Sequence, residues 1–227
     1  MVYAYTMSRY NYRQMYSWDC RIAYLAGLMA SDGCLINDGR HLAIVSKDIE
    51  IINNVQQILG TNLGVAIKTG GFGSQAFHFQ FSNVSLYDFL LKAGITPTKS
   101  KTIGAINVPD TMYADFLRGY FDGDGTVYGY QDKRWVQSFM YYTGFVSASR
   151  TLLLWLQLKN IQLAGTTPGV IKPQARAATL TYAKCDSRKL FAFMYKDKDC
   201  LKLTRKYDKF VDFLTSDPYN TDDARVL

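Results

Sequence analysis

Two segments of this chain are near-copies of each other, LAGLMASDG at 25–33 and LRGYFDGDG at 117–125, and each is an apolar, small-residue run ending in Asp-Gly. Small residues recur at Gly27 and Ser31 in the first copy and at Gly119 and Gly123 in the second. Residues four apart share one stripe of an α-helix, and small side chains on that stripe let a second helix backbone approach closely. The pattern predicts two helices side by side through Gly27 and Gly119, with Leu25, Leu28, Leu117 and Tyr120 turned away into separate cores. Each Asp-Gly end predicts a left-handed glycine cap and a turn out of the helix. Asp32 and Asp124 then lie near each other at the negative ends of two helix dipoles, a strain that a cation would relieve. Two ordinary core helices with surface aspartates is the competing reading, and the second copy in the same chain argues against it.

Other elements repeat in the same order. Asp32 and Asp124 are 92 residues apart, whereas IVSKDIEII at 44–52 matches FVSASRTLL at 145–153 at an offset of 101, which predicts a longer hairpin in the second copy. VAIK at 65–68 then matches GVIK at 169–172, and the alternating FHFQF at 77–81 matches LTY at 180–182. Each half therefore reads helix, two strands, helix, two strands, helix. Phe77, Phe79 and Phe81 face the core, with His78 and Gln80 on the opposite, polar face. The glycine-rich stretches at 69–74 and 165–169 read as turns, and GAINVP at 104–109 as the link between halves. The expected organisation is a first half over 1–104, a second over 105–213 and a polar tail over 214–227.

At 227 residues with 48% hydrophobic residues the chain can bury packed cores. Its formal net charge of +7 divides as +2 over 1–110 and +5 over 111–227, which favours a polyanionic partner gripped more strongly by the second half. The apolar run from Ile22 to Ala30 is too short to span a bilayer, and no basic n-region with a cleavage site precedes it. The expectation is an intracellular protein with no membrane partner. Cys20, Cys34, Cys185 and Cys200 form no CxxC pair, and His41 and His78 are the only histidines, so a structural zinc site is disfavoured and reduced thiols are expected.

With both motifs in place, over about residues 17–213, the chain resembles the LAGLIDADG homing endonucleases of the monomeric, two-motif type. It departs from the family pattern at Ala30, where an earlier acid is frequent, while the second copy keeps Asp122 as well as Asp124. The resemblance implies an α+β fold of two pseudo-twofold αββαββα halves with antiparallel, saddle-shaped sheets. It also implies a site-specific endonuclease that hydrolyses one phosphodiester per strand of double-stranded DNA with metal-activated water. Asp32 and Asp124 would hold the metal with the carbonyls of Ser31 and Gly123. Hard oxygen donors and no His/Cys cluster point to Mg2+, with Mn2+ as a substitute.

The same resemblance places Ser46 and Lys47 near the active-site water, with Ser147 and Ala148 as their counterparts, so only the first site keeps a lysine there. It places a basic residue near each scissile phosphate: Lys99 or Lys101 in the first half, Lys206 in the second. A solvated charged helix face is the other reading of Lys202, Arg205, Lys206 and Lys209. The polar faces of the sheets would lie in the major groove, with Arg40, Lys68, His78, Gln80, Arg134, Lys172, Arg176, Thr179 and Thr181 as candidate DNA contacts. Each of these also reads as a plain solvent-facing strand residue. Two alternatives stay open, an intron RNA maturase and a non-cleaving DNA-binding regulator on the same scaffold. A monomer that spreads an intron or other mobile element is the leading expectation.

Overall fold

The computed structural model describes residues 15–70, 73–131, 133 and 139–216. The first half runs α1 (Cys20–Ala30), β1 (Gly33–Leu35), β2 (His41–Ser46), α2 (Ile49–Leu59), β3 (Ala66–Thr69), β4 (Gln75–Ser82) and α3 (Val84–Lys92). Short 3-10 turns at Lys99–Lys101 and Asp110–Met112 lead into the second half. There the order repeats as α4 (Tyr113–Asp124), β5 (Gly125–Gln131), β6 (Phe139–Ser147), α5 (Arg150–Ala164), β7 (Val170–Pro173), β8 (Ala178–Ala183) and α6 (Lys184–Met194), followed by α7 (Thr204–Thr215). Each half forms one antiparallel four-stranded sheet, ordered β1-β2-β4-β3 and β5-β6-β8-β7. This is the duplicated α+β architecture that the repeats predict. The longer second hairpin is the β5–β6 ladder, with seven paired residues against three in β1–β2. α7 runs into the stretch read as tail, and 217–227 lie outside the described residues.

Alternation along β4 sets the faces of the first sheet. Phe79 and Phe81 are buried and stack with ring centroids 5.1 Å apart, Phe77 is half-buried, and Gln80 is exposed on the other side. The helices cover the inner face of each sheet, and the outer face is left open.

α1 and α4 form the most extensive contact between any two helices. A Cβ at Gly27 would lie 2.6 Å from the Tyr120 nitrogen and closer still to the Phe116 carbonyl oxygen. A Cβ at Gly119 would lie 2.9 Å from the Tyr24 carbonyl carbon. Both clashes are with backbone, which has no rotamer to move to. The predicted helix pair is present. Its cores are not separate, however: Leu25, Leu28, Leu117 and Tyr120 belong to one continuous cluster that includes residues of both halves. The reason is that α1 is buried on all sides from Ile22 to Ala30, and a helix with no solvated face cannot divide two cores.

The glycine caps also differ from expectation. Gly125 is extended (φ −87°, ψ 156°), and Gly33 does not take a positive φ. Glycine is needed at both positions for proximity, because a Cβ at Gly33 would lie 2.5 Å from Met29 Cα and one at Gly125 would lie 2.5 Å from Phe121 Cα. Each strand therefore starts tucked against the last turn of its own helix, with the aspartate at the bend.

Gly27→Ala and Gly119→Ala are each expected to destabilise the protein by about 3 kcal/mol or more through backbone overpacking. Gly64→Ala, where a Cβ meets open space, should stay within about 0.5 kcal/mol of the parent. Thermal or denaturant unfolding of the three variants checks both statements.

Candidate active site

Because α1 and α4 end side by side, Asp32 and Asp124 meet where the halves join. Burial, and next the charge of Asp124, push Asp32 up to about 6, while the ammonium groups of Lys206 and Lys99 pull it down. Burial raises Asp124 as well, against the same two lysines. Neither carboxylate forms a hydrogen bond or an ion pair with the described residues, and neither is sealed from solvent. Two close, unpaired carboxylates of like charge are a donor set for a hard cation. Among the described residues no group of three or more His, Cys, Asp or Glu side chains could hold a metal, so carbonyls and water would complete the shell.

Two buried lysines flank this pair. Lys99, in the 3-10 turn after α3, donates to the carbonyls of Ser31 (3.2 Å) and Gly33 (2.6 Å). Lys206, in the first turn of α7, donates to those of Phe121 (2.7 Å), Asp122 (2.8 Å), Gly123 (2.9 Å) and Gly125 (2.7 Å). Both ammonium groups thus occupy the negative ends of the motif helices and satisfy carbonyls that the helix leaves free. Part of the dipole strain is answered from within the protein. Burial pushes Lys206 down to about 8 and lowers Lys99 too. Of the two sequence candidates, Lys99 reaches the motif, whereas Lys101 is exposed beside Arg150 and Arg176. The solvated-face reading of α7 fails at Lys206, which is 8% exposed. Lys202 and Lys209 lie over the rings of Tyr207 and Phe213.

The segment carrying Lys206 is held by the other half. Arg205 donates from Nε and Nη2 to the two carboxylate oxygens of Asp48, each at 2.7 Å. The Thr204 amide and hydroxyl donate to Glu50 (3.0 and 2.5 Å), and the Asn54 amide donates to the Lys202 carbonyl (3.0 Å). In the reverse direction, the Ser149 hydroxyl donates to the carbonyl of Ile103, just beyond Lys99 (2.5 Å). Each lysine segment is therefore docked at the start of the opposite half's middle helix, α2 or α5. Asp122 is part of the same tie: buried, it accepts from the Tyr24 hydroxyl and the Leu203 amide, both at 2.8 Å, and burial pushes it up to about 6. It acts as a tether between elements. Sequence reasoning missed Asp48, Glu50, Asn54 and Tyr24, since partners 98 to 157 residues apart leave no linear signal.

Ser46 and Ser147 sit at equivalent turns, each accepting from the amide two residues on, Asp48 (3.1 Å) and Ser149 (3.0 Å), at the starts of α2 and α5. Ser147 also bonds the phenol of Tyr120, which donates to the Val146 carbonyl (2.6 Å) and which burial raises strongly. Lys47 is exposed.

Strand register assigns the remaining candidates. His78 pairs with Val45 and with Ala66, and Gln80 with Ala43, so His78, Gln80 and Lys68 share the open face of the first sheet. Lys172 lies opposite Thr179 on the open face of the second. Thr179 and Thr181 lie on that face too but are only 7% and 6% exposed, and the Thr179 hydroxyl accepts from Gln174 (2.8 Å). They offer a ligand little surface, because neighbouring side chains on the pleat cover them. Arg40, in the β1–β2 turn, lies 3.9 Å from Asp38, and Arg176 occupies the β7–β8 turn. Arg134 lies outside the described residues. The sequence reading overlooked a tyrosine ladder on this open face, where Tyr142 stacks with Tyr128 at 5.4 Å and with Tyr130 at 6.1 Å; the signal was the i, i+2 spacing of Tyr128 and Tyr130.

A family model described as LAGLIDADG-like domain matches residues 19–69 and again 111–158, one match for each motif helix with its sheet hairpin and following helix. No curated protein matches the sequence. The chain is similar in structure to the I-LtrWI LAGLIDADG homing endonuclease bound to target DNA, with TM-score 0.57, 11% identity, and coverage of 92% of this chain and 93% of that one. It is similar to the LAGLIDADG meganuclease I-AabMI bound to uncleaved DNA, with TM-score 0.58, 12% identity and coverage of 90% and 96%. It is also similar to full-length DUF199/WhiA from Thermatoga maritima, with TM-score 0.57 and 11% identity, covering 91% of this chain but 63% of that longer one. Both motif-bearing segments are LAGLIDADG-like domains. The chain as a whole has the two-repeat fold of the LAGLIDADG homing endonucleases. Among the described residues no helix is long and apolar enough to cross a membrane.

The raised Asp32 carboxyl means that the folded chain holds this proton more tightly than the unfolded one, so its charge costs stability above about pH 6 and nothing below about pH 4. Asp32→Asn is expected to stabilise the metal-free protein by about 1–2 kcal/mol near pH 7.5 after solvent screening, with the gain vanishing towards pH 4. Thermal melts across this range in chelator give the measurement.

Proposed function

We propose that this protein is a magnesium-dependent, site-specific endonuclease that makes a double-strand break in DNA, one phosphodiester per strand. The observation that carries the reading is the pair of unpaired carboxylates, Asp32 and Asp124, at the junction of two matching halves, each beside a buried lysine and between two open antiparallel sheets. Two motifs on one chain provide both carboxylates, so a monomer suffices.

The donor set fits magnesium. Asp32, Asp124 and the Ser31 and Gly123 carbonyls are hard oxygen ligands, and each carbonyl keeps a second lone pair beyond its lysine hydrogen bond. When bound, the ion would supply Lewis acidity and lower the pKa of a coordinated water. Lys99 and Lys206 hold the motif ends in place and add positive charge where the phosphate becomes more negative. Lys47, exposed beside Ser46, adds charge at the first site only. The open sheet faces, with His78, Gln80, Lys68 and Lys172, would read base edges, while phosphate contacts would provide most of the affinity. The biological role we assign is the spread of an intron or other mobile element. A maturase or a non-cleaving DNA-binding protein would use the sheets without needing Asp32 and Asp124.

Incubation with the uninterrupted form of its host gene, or with a randomised-site plasmid library, and magnesium should yield double-strand breaks. Asp32→Asn and Asp124→Asn should each reduce cutting at least about 100-fold while retaining DNA binding. Cutting by the wild type should need more magnesium as pH falls, because protons compete with the ion for the Asp32 and Asp124 carboxyls, both of which burial raises. Specific DNA binding with no cutting in any variant would favour the non-cleaving reading, and binding to intron RNA alone would favour the maturase.

A further inference from the structure

We infer that an open groove beside the second site seats the backbone of duplex DNA, each of its three cations neutralising one phosphate, and provides the positive charge that Ala148 withholds, an inference that rests on the DNA reading above. The two halves differ at this point: Lys47 follows Ser46 in the first, and Ala148 follows Ser147 in the second. Ala148 lines a groove of about 590 Å³ whose polar wall is Lys101, Arg150, Gln174 and Arg176. Three separate segments bring in the three cations. Lys101 comes from the first half's 3-10 turn, Arg150 from the first turn of α5 and Arg176 from the β7–β8 turn.

Among the described residues no carboxylate lines the groove, and none of the three cations forms an ion pair or a hydrogen bond with them. Several other helix cations are matched: Arg205 by Asp48, Lys159 by Asp110, Lys189 by Asp186. Three like charges converging without a counter-charge repel one another and favour an anion. The rest of the wall is alanine, at 148, 175, 177 and 178, which leaves room for a sugar-phosphate backbone. The turn that presents Arg176 is set by hydrogen bonds, the Gln174 amide to the Ala177 carbonyl and the Gln174 side chain to Thr179, both at 2.8 Å. Ser147, adjacent to Ala148, bonds Tyr120, whose phenol lies in the field of Asp124 and Asp32. The groove therefore adjoins the second motif, where the strand cut by that site would pass.

The test is binding of a random-sequence DNA duplex, without divalent metal, as a function of salt. The proteins are wild type, Lys101→Ala, Arg150→Ala, Arg176→Ala, the triple variant and Arg21→Ala, a control at the far end of α1 from Asp32. Each groove variant should lower the slope of log K against log salt by about 0.9, and the triple variant by about 2–3, with unchanged melting temperatures because the side chains are exposed and unpaired. Adding Ala148→Lys to the triple variant should restore about one unit of slope. A triple variant that binds with the wild-type slope would overturn the groove while leaving the DNA reading intact. So would an Arg21→Ala effect as large as that of each groove residue. Wild-type protein that does not bind duplex DNA at all would overturn the DNA reading itself, and the groove with it.

Discussion

The backbone contact of α1 with α4 through Gly27 and Gly119 is the constraint on which the other features depend. Two helices that touch main chain to main chain have one relative position, so the two aspartates that follow them have one relative position as well. Any side chain at the crossing would separate the helix ends and widen the gap between Asp32 and Asp124. The same crossing merges the halves into one core, so the site lies on a shared rigid element.

Placing two carboxylates at the negative ends of two helices is unfavourable, and the fold answers this with Lys99 and Lys206. Each ammonium is bound to main-chain carbonyls of the motif it faces, six contacts in all, and is lowered by its own burial. The lysine segments are in turn fixed across the pseudo-twofold, α7 against Asp48 and Glu50 of the first half and the 3-10 turn against Ser149 of the second. Neither site is built from one half alone. This exchange accounts for a buried Asp122 that binds Tyr24 and Leu203: it joins α1, α4 and the approach to α7 at one point.

The halves are nonetheless unequal. Lys206 has four carbonyl partners and Lys99 two; the first sheet presents histidine and glutamine, while the second presents stacked tyrosines. A target read by these two faces would be asymmetric, as expected of a duplicated chain whose copies have diverged.

How much was legible follows from how each signal is encoded. The helix pair, the order of strands, the burial of Phe79 and Phe81 and the two aspartates came from local periodicity and from repetition, which operate over four to nine residues and survive in a linear string. Ser46 and Ser147 are counterparts in the repeat and occupy equivalent turns, but their hydrogen bonds to helix starts appear only in three dimensions. The left-handed caps were misread because a glycine needed for close approach looks the same in sequence as one needed for positive φ; Met29 and Phe121 made the difference. Thr179 and Thr181 had the right face and the wrong exposure, since the pleat sets direction whereas neighbours set access. Sequence alone determined the duplication, the fold class and the acids at the motif ends. Only the tertiary structure brought Lys99, and not Lys101, to the motif carbonyls, paired Arg205 with Asp48 and gathered Lys101, Arg150 and Arg176, because contacts between residues far apart in the chain depend on how the two halves pack.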